Sequence, residues 1–371
     1  MKNRTGKLTI ILVVTNSCNL HCKYCYEHSK NSSSMSLDTA LEIAEKEITS
    51  NPDKEIVFDF FGGEPFLEFE MIMTFCDEVW TKYDDRNIRM SCITNGTLIT
   101  DKELEWLKRN KHRFFCHISV DGTPEMHAIN RGECFPMNGI RKFAEIWPGH
   151  ATAKMTVSMD TIGNLFSGVM YLDSLGLGVA PSLARGLEWN DDTLKIYRKE
   201  LSRLVEYYSL HPEKRPVDLL NVSLAPVLLE EMNECYCGAG YSMFAYDPDG
   251  KKYPCQMFAP FSLPSHRWEA IKHTDLRADK LFYSDEDCIE CGIRNLCKKC
   301  PGLNYKERGD TGKRDKRLCN FIRAEYLAAA EYKINILLKK PFDTLTRKDY
   351  IELKAAATLK EKYKIINSSD L

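Results

Sequence analysis

No stretch of this 371-residue chain approaches the roughly 18 uninterrupted apolar residues of a membrane-spanning helix, so none is expected. A large charge of one sign is also missing. Lys and Arg number 51 against 53 Asp and Glu, leaving a formal net charge of −2. Nothing global therefore points to nucleic acid or to an anionic membrane. No secretory signal is expected either. Met1–Lys7 is basic and Leu8–Val14 is mostly apolar, but the run is short, Thr9 interrupts it, and it leads into Asn16, Ser17 and Cys18 rather than a small-residue cleavage site. A buried strand explains it better. The chain shows no internal repeat and no low-complexity segment.

What the chain has in abundance is cysteine, fifteen in all. In a secreted protein these would read as disulfides. With no signal, and with cysteines crowded at short gaps, metal ligation in a reducing cytoplasm is the expectation.

The first half alternates apolar runs with amphipathic stretches. Expected strands are Leu8–Thr15, Glu55–Phe61, Ile88–Thr94, Phe114–Val120, Lys154–Met159 and Gly178–Ala184. Expected helices are Leu37–Thr49 with Ser36 as N-cap, then Glu68–Tyr83, Asp101–Lys108, Gly139–Ile146 and Asn164–Leu175. Six strand–helix units imply a parallel sheet with right-handed crossovers, too few to close an eight-fold barrel. The expected fold is α/β, a partial (β/α)6 barrel over residues 1–232, with functional groups at the C-terminal ends of its strands. A helix at Thr193–Ser209 and a turn-rich His211–Pro216 close this part. A cysteine-rich domain over residues 233–322 follows, with a hairpin turn at Asp247-Pro248-Asp249-Gly250. A helical tail over residues 323–371 completes the chain.

Cys18-x3-Cys22-x2-Cys25 directly follows the first strand. Three thiolates can hold three irons of a [4Fe–4S] cluster, leaving the fourth iron open to a small molecule. A zinc site completed by His21 or His28 is the alternative reading. The spacing, with aromatic Tyr24 before the last cysteine, resembles the signature of radical S-adenosylmethionine (SAM) enzymes. That resemblance implies that the open iron binds SAM, and that reductive cleavage frees a 5′-deoxyadenosyl radical. Gly62-Gly63-Glu64-Pro65, at the end of the second strand, resembles the family's motif for the SAM amino group. Thr94-Asn95-Gly96 closes the third strand and Ser119-Val120-Asp121-Gly122 the fourth, with His127 and Arg131 beyond. By the same resemblance Ser119 and Arg131 contact SAM, Arg131 being suited to a two-pronged grip on a carboxylate.

A second array comprises Cys237, Cys255, Cys288-x2-Cys291-x5-Cys297-x2-Cys300 and Cys319. Taken alone, its two Cys-x2-Cys pairs fit zinc as well as iron. The array resembles the SPASM extension of some radical SAM enzymes, which holds two auxiliary [4Fe–4S] clusters and would bring the total to three. The last gap, with two intervening residues, departs from the usual three. The resemblance assigns Cys288, Cys291, Cys297 and Cys319 to an outer cluster. It assigns Cys237, Cys255 and Cys300 to an inner one, with Cys235 a further candidate ligand. Cys76, Cys92 and Cys116 read as structural, and Cys134 lies in a loop near Arg131. The basic stretch Lys298–Arg317 reads first as solvated surface and second as a dock for an acidic peptide leader.

SPASM-bearing relatives largely modify ribosomal peptides or proteins, so the resemblance implies a peptide or protein substrate and an electron donor such as flavodoxin or ferredoxin. A thioether or other crosslink is the expected product. The alternative is an anaerobic sulfatase-maturating enzyme forming formylglycine. That group carries an aspartate as proposed base after the cysteine matching Cys255, whereas this chain has Gln256, an amide that cannot act as a base near neutral pH. A metal-stabilised binding or electron-transfer module is the reading of another class. With about seven residues ahead of the first strand, no winged-helix leader-binding domain is expected there.

Overall fold

The structure is a computed structural model describing residues 6–27, 29–229, 237–274, 276 and 286–367. Cys235 and His28 lie outside the described residues.

Six parallel strands form the frame: β1 (Lys7–Thr15), β2 (Glu55–Gly62), β3 (Ile88–Thr94), β4 (Phe114–Ser119), β5 (Thr152–Val157) and β6 (Gly178–Leu183). They lie in sequence order. The hairpin β7 (Met243–Tyr246) and β8 (Lys252–Tyr253) continues the sheet beyond β1, giving the order β6-β5-β4-β3-β2-β1-β7-β8. Both neighbours of β1, β2 and β7, run parallel to it. That central position explains why Ile10–Thr15 is wholly buried. Among the described residues β6 and β8 are the free edges, so the sheet is the open partial barrel expected.

The helices cover one face. In α1 (Leu37–Thr49) the side chain of Ser36 accepts from the Thr39 amide, and Ala40, Ile43, Ala44 and Ile48 are buried at helical spacing. Helices α2 (Phe69–Lys82), α3 (Asp101–Asn110), α5 (Met137–Ile146), α6 (Leu165–Ser174) and α7 (Asp191–Leu210) match expected elements to within two residues at nearly every end. Among the helices of the barrel, α4 (Pro124–Arg131) was not expected. Thr123 accepts from the Met126 amide, Pro124 occupies the first turn and Gly132 (φ +96°) ends it. Its buried positions, Met126, His127 and Asn130, are mostly polar, so no apolar stripe marks it.

The core between sheet and helices is rich in aromatic side chains. Phe58, Phe60, Phe75 and Phe114 are essentially unexposed, each withdrawal contributing about 1.5–3 kcal/mol. At the hairpin turn the Asp247 carboxylate accepts from Asp249 N, Lys251 N and the Tyr253 hydroxyl, while Gly250 (φ +78°) supplies the left-handed residue.

The later helices are α8 (Ser265–Glu269), α9 (Glu286–Ile289), α10 (Pro301–Arg308), α11 (Cys319–Leu337) and α12 (Arg347–Asn367). A small second core of Tyr253, Phe258, Phe261, Trp268 and Leu303 includes Val13 of β1. The cysteine-rich region therefore seats on the C-terminal end of the barrel strands. Helix α11 lies on α7, where the Tyr197 hydroxyl donates to Glu325 at 2.9 Å. Glu352 of α12 accepts from Leu224 N at 2.9 Å and pairs with Lys333 at 3.1 Å. Among the described residues no helix is long and apolar enough to cross a membrane.

Candidate functional site

The loop carrying Cys18, Cys22 and Cys25 leaves β1 and is fixed from three sides. Lys23 N donates to the Asn130 carbonyl at 2.9 Å, Lys30 Nζ to the Leu20 carbonyl at 2.9 Å, and Asn95 Nδ2 to Asn19 Oδ1 at 2.8 Å. Burial pushes the Cys18 and Cys22 thiols up. The Leu20 amide and Lys30 pull back on Cys18, and Arg131 pulls back on Cys22. Each of these two thiols is close enough to Cys25 to feel its charge. Three half-buried thiols on one short loop, beside two cations that offset thiolate charge, fit a cluster held by three cysteines. Among the described residues no three such groups converge closely enough to clasp a single ion.

Gly62 and Gly63 are where the loop and β2 meet. A Cβ on Gly62 would lie 2.0 Å from the Thr15 carbonyl oxygen, and one on Gly63 would lie 2.1 Å from that of Ser17. Gly63 N donates to Thr15 O at 3.0 Å and Glu64 N to Ser17 O at 2.9 Å. These glycines permit a backbone-to-backbone seam at the base of the cysteine loop. Glu64 is buried, and its carboxylate is engaged by the chain itself. Oε1 accepts from Thr94 Oγ1 at 2.6 Å and Phe66 N at 3.0 Å, and Oε2 accepts from Asn95 N at 2.7 Å. Burial still raises its pKa against those three donors. The acid thus ties the end of β2 to the end of β3, and Asn95 passes the restraint to Asn19 of the loop.

A second lock centres on Asp121, which is fully buried. Its Oδ1 accepts from Thr156 N at 2.8 Å. Its Oδ2 accepts from the Tyr24 hydroxyl at 2.6 Å, Arg131 Nε at 2.9 Å and Asn130 Nδ2 at 3.3 Å. Burial alone would lower the Arg131 pKa, but Asp121 overrides it and keeps the guanidinium charged. Arg131 also stands 5.4 Å from the Tyr24 ring centre. Helix α4 presents Arg131, Asn130 and His127 to this point. His127 Nδ1 accepts from Asp121 N at 3.4 Å, and its Nε2 is buried without a partner among the described residues. Burial, helped by Arg131, pushes the imidazole down to about 4, so it is neutral. Ser119, half-buried at the end of β4, pairs with Lys154 of β5.

The later cysteines fall into two groups. Cys288, Cys297 and Cys319 lie around Arg314, each raising its pKa. Cys291 adjoins them, its Sγ 3.9 Å from Arg323 Nη2 and 3.6 Å from the Tyr363 hydroxyl. Burial would raise the Cys291 thiol, but hydrogen bonds from the Ile293 amide, Tyr363 and Arg323 outweigh it and hold it below its ordinary value. Cys237, Cys255 and Cys300 form the other group. Burial raises Cys255, and the charges of Cys300 and Cys237 add to the rise. The short gap between Cys297 and Cys300 divides the two groups, with Lys299 N turned back onto Cys297 O at 3.0 Å. Cys300 then caps α10, its Sγ accepting from Leu303 N at 3.5 Å.

Sequence reasoning missed the link between the arrays, Tyr26. Its ring is half-buried and lies within electrostatic reach of both Cys300 and Cys25. It also missed Asp121 and Asn130 as site residues, although Asp121 falls within the Ser119–Gly122 motif. Cys76, Cys92 and Cys116 are buried away from these groups, Cys92 and Cys116 facing each other at 3.1 Å across β3 and β4.

Residues 12–156 match the radical SAM superfamily. The chain is 38% identical over 362 residues to the radical SAM cyclopropyl synthase TigE of Paramaledivibacter caminithermalis, covering 88% of this chain and 75% of that one. It is 24% identical over 355 residues to a cysteine-type anaerobic sulfatase-maturating enzyme of Clostridium perfringens, covering 85% and 92%. Its fold is similar to that of anSMEcpe with bound AdoMet, with a TM-score of 0.68 at 20% identity over 95% of this chain and 98% of that one.

Proposed function

The chain belongs to the radical SAM superfamily, and on that premise we propose that it is a maturase that modifies a ribosomally made peptide by hydrogen abstraction, forming an intramolecular bond with net loss of two hydrogens. A thioether is one such bond. The cyclopropane named for the 38% identical relative is another.

The family implies a [4Fe–4S] cluster and SAM. We assign the first cluster to Cys18, Cys22 and Cys25. Two auxiliary clusters are assigned to the Cys288, Cys291, Cys297 and Cys319 group and to the Cys237, Cys255 and Cys300 group, with Cys235 as a further ligand candidate for the latter. When bound, these groups supply a radical able to abstract hydrogen and an acceptor for a further electron. The chain's own part is to position. The Asp121 lock presents Arg131 toward the loop, where its free guanidinium nitrogens suit a carboxylate such as that of SAM. Glu64 holds the ends of β2 and β3 in register with the loop, and Ser119 lines the adjoining strand end. The first electron comes from outside, from a donor such as flavodoxin or ferredoxin.

The observation that carries this reading is Tyr26, half-buried and within electrostatic reach of both Cys25 and Cys300. It brings the radical-forming loop and the inner auxiliary thiols to one place, which suits a product that needs an electron acceptor beside the abstraction site. The test is mass spectrometry of a candidate peptide co-expressed with the enzyme. A loss of about 2 Da per modification supports the bond-forming reading, since it corresponds to two hydrogens removed. An unchanged mass with solvent deuterium incorporated contradicts it.

Sulfatase maturation is the second reading, favoured by the span of the Clostridium perfringens match. Against it stands Gln256, which follows Cys255 and whose amide cannot act as a base near neutral pH. Conversion of a sulfatase-derived Cys or Ser peptide to formylglycine would establish it.

A further inference from the structure

The two later cysteine groups sit in different electrostatic surroundings. Around Cys288, Cys291, Cys297 and Cys319 the chain gathers cations in its interior. Arg314 is 8% exposed, and its Nη1 lies 4.0 Å from the Cys288 sulfur. Lys299 is 6% exposed and within electrostatic reach of Cys288, Cys297 and Cys291. Arg323 stands one turn beyond Cys319 on α11, hence on the same face. Its Nη2 is 3.9 Å from the Cys291 sulfur and its Nη1 donates to Asn320 Oδ1 at 3.0 Å. Its Nε is buried without a partner among the described residues. The Tyr363 hydroxyl of α12 is 3.6 Å from the same Cys291 sulfur. Cys237, Cys255 and Cys300 lie instead in the small apolar core with Tyr253, Met257, Phe258 and Leu303. The cation that acts on Cys300 is Arg185, which is exposed.

Burying cations beside thiols is costly unless negative charge meets them. A [4Fe–4S] cluster, when bound, supplies that charge on its sulfurs, and the orphaned Nε–H of Arg323 suits such an acceptor. Reduction adds negative charge to a centre that is already anionic. Nearby cations and hydrogen-bond donors to the sulfurs favour the reduced form and raise the potential, whereas an apolar enclosure opposes the added charge.

We propose that Arg323 and Tyr363, through the Cys291 sulfur, hold the outer auxiliary cluster at a higher reduction potential than the inner one. The inference rests on the auxiliary-cluster assignment above and adds the residues that order the two centres. With Cys291 ligated as thiolate, the Tyr363 hydroxyl and the Arg323 guanidinium are the donors. Both act through Cys291, so theirs is a positioning role. An electron left at the inner centre then passes to the outer one, oxidising the first and reducing the second, with no proton moved.

The test uses the full-length Cys18→Ala/Cys22→Ala/Cys25→Ala protein, reconstituted anaerobically, so that the auxiliary centres titrate without the first cluster. EPR-monitored redox titration reads both potentials, and Cys255→Ser in the same background identifies the inner signal. The outer centre is expected to be the higher of the two. Tyr363→Phe should lower the ratio of reduced outer to reduced inner centre about tenfold, which is about 59 mV for a one-electron couple. Arg323→Gln, which removes a charge as well as a donor, should lower it further, and Arg323→Lys, which keeps the charge, should lower it less than Arg323→Gln. Where Arg323→Gln loses iron, Tyr363→Phe decides. An outer potential unmoved by these changes overturns the proposal. So does an inner centre that is the higher of the two, or an equal shift of both signals, which marks a structural effect alone. Any of those results with two auxiliary clusters present leaves the cluster assignment standing. Zinc or a single auxiliary cluster in the parent protein defeats the assignment itself.

Discussion

Tyr24, inside the first cysteine motif, donates its hydroxyl to Asp121, nearly a hundred residues away, across 2.6 Å. The same carboxylate oxygen holds Arg131 at 2.9 Å, so the cysteine loop and the cation expected to meet SAM share one buried anion. Asp121→Ala leaves a buried guanidinium without its partner and is expected to cost about 3–5 kcal/mol of stability, because breaking a buried pair strands the remaining charge. Tyr24→Phe removes one donor of four and is expected to cost about 1–2 kcal/mol. Chemical denaturation of the two variants checks the order. A smaller loss for Asp121→Ala than for Tyr24→Phe would contradict the shared-anion account.

Arg131→Ala should weaken SAM binding by about 1.5–3 kcal/mol, the range for a charge-assisted contact. Equilibrium dialysis with labelled SAM measures it. Unchanged affinity removes Arg131 from the site.

Gly63→Ala should separate the cysteine loop from the rest of the protein. The added Cβ would stand 2.1 Å from a backbone oxygen that has no flexible side chain to move aside. The expected outcome is a folded protein that has lost about 4 of about 12 irons, the share of one cluster in three. Wild-type iron content in this variant would show that the seam is not needed to hold the loop.

His127 and His117 give a pH dependence of defined sign. Burial is the leading cause in both, and both are pushed down from 6.5 to about 4. The unfolded chain therefore takes up these protons first. The stabilisation is fully present above about pH 6.5 and is lost as the pH falls through about 4. A His117→Asn/His127→Asn double variant should lose less stability than wild type between pH 7 and pH 5, as read by urea unfolding midpoints. An identical loss would contradict the buried neutral state.

The parallel strands and the capped first helix were legible because local signals and the fold agree there: Ser36 before Leu37, apolar runs for strands, amphipathic spacing for helices. Helix α4 was not, because the face it buries carries His127 and Asn130 in place of an apolar stripe. The cysteines proposed as ligands stand out in the sequence by their spacing, yet their neighbours do not. Tyr24 to Asp121 and Tyr26 beside Cys300 bring distant segments together, and no local period encodes them. The placing of β7 beside β1 is likewise a choice among sheet edges that a four-residue strand cannot announce. Glu64 shows the same limit from the other side: a motif acid expected to meet the SAM amino group has its carboxylate engaged by Thr94, Asn95 and Phe66.

The most direct measurement compares anaerobically reconstituted wild type with the Cys18→Ala/Cys22→Ala/Cys25→Ala variant, scoring iron content together with 5′-deoxyadenosine formed from SAM and a reductant. The account predicts about 12 irons and SAM cleavage in wild type, and about 8 irons with no cleavage in the variant, because the three thiol groups ligate independently. Stoichiometric zinc with little iron, or SAM cleavage persisting in the variant, would contradict it.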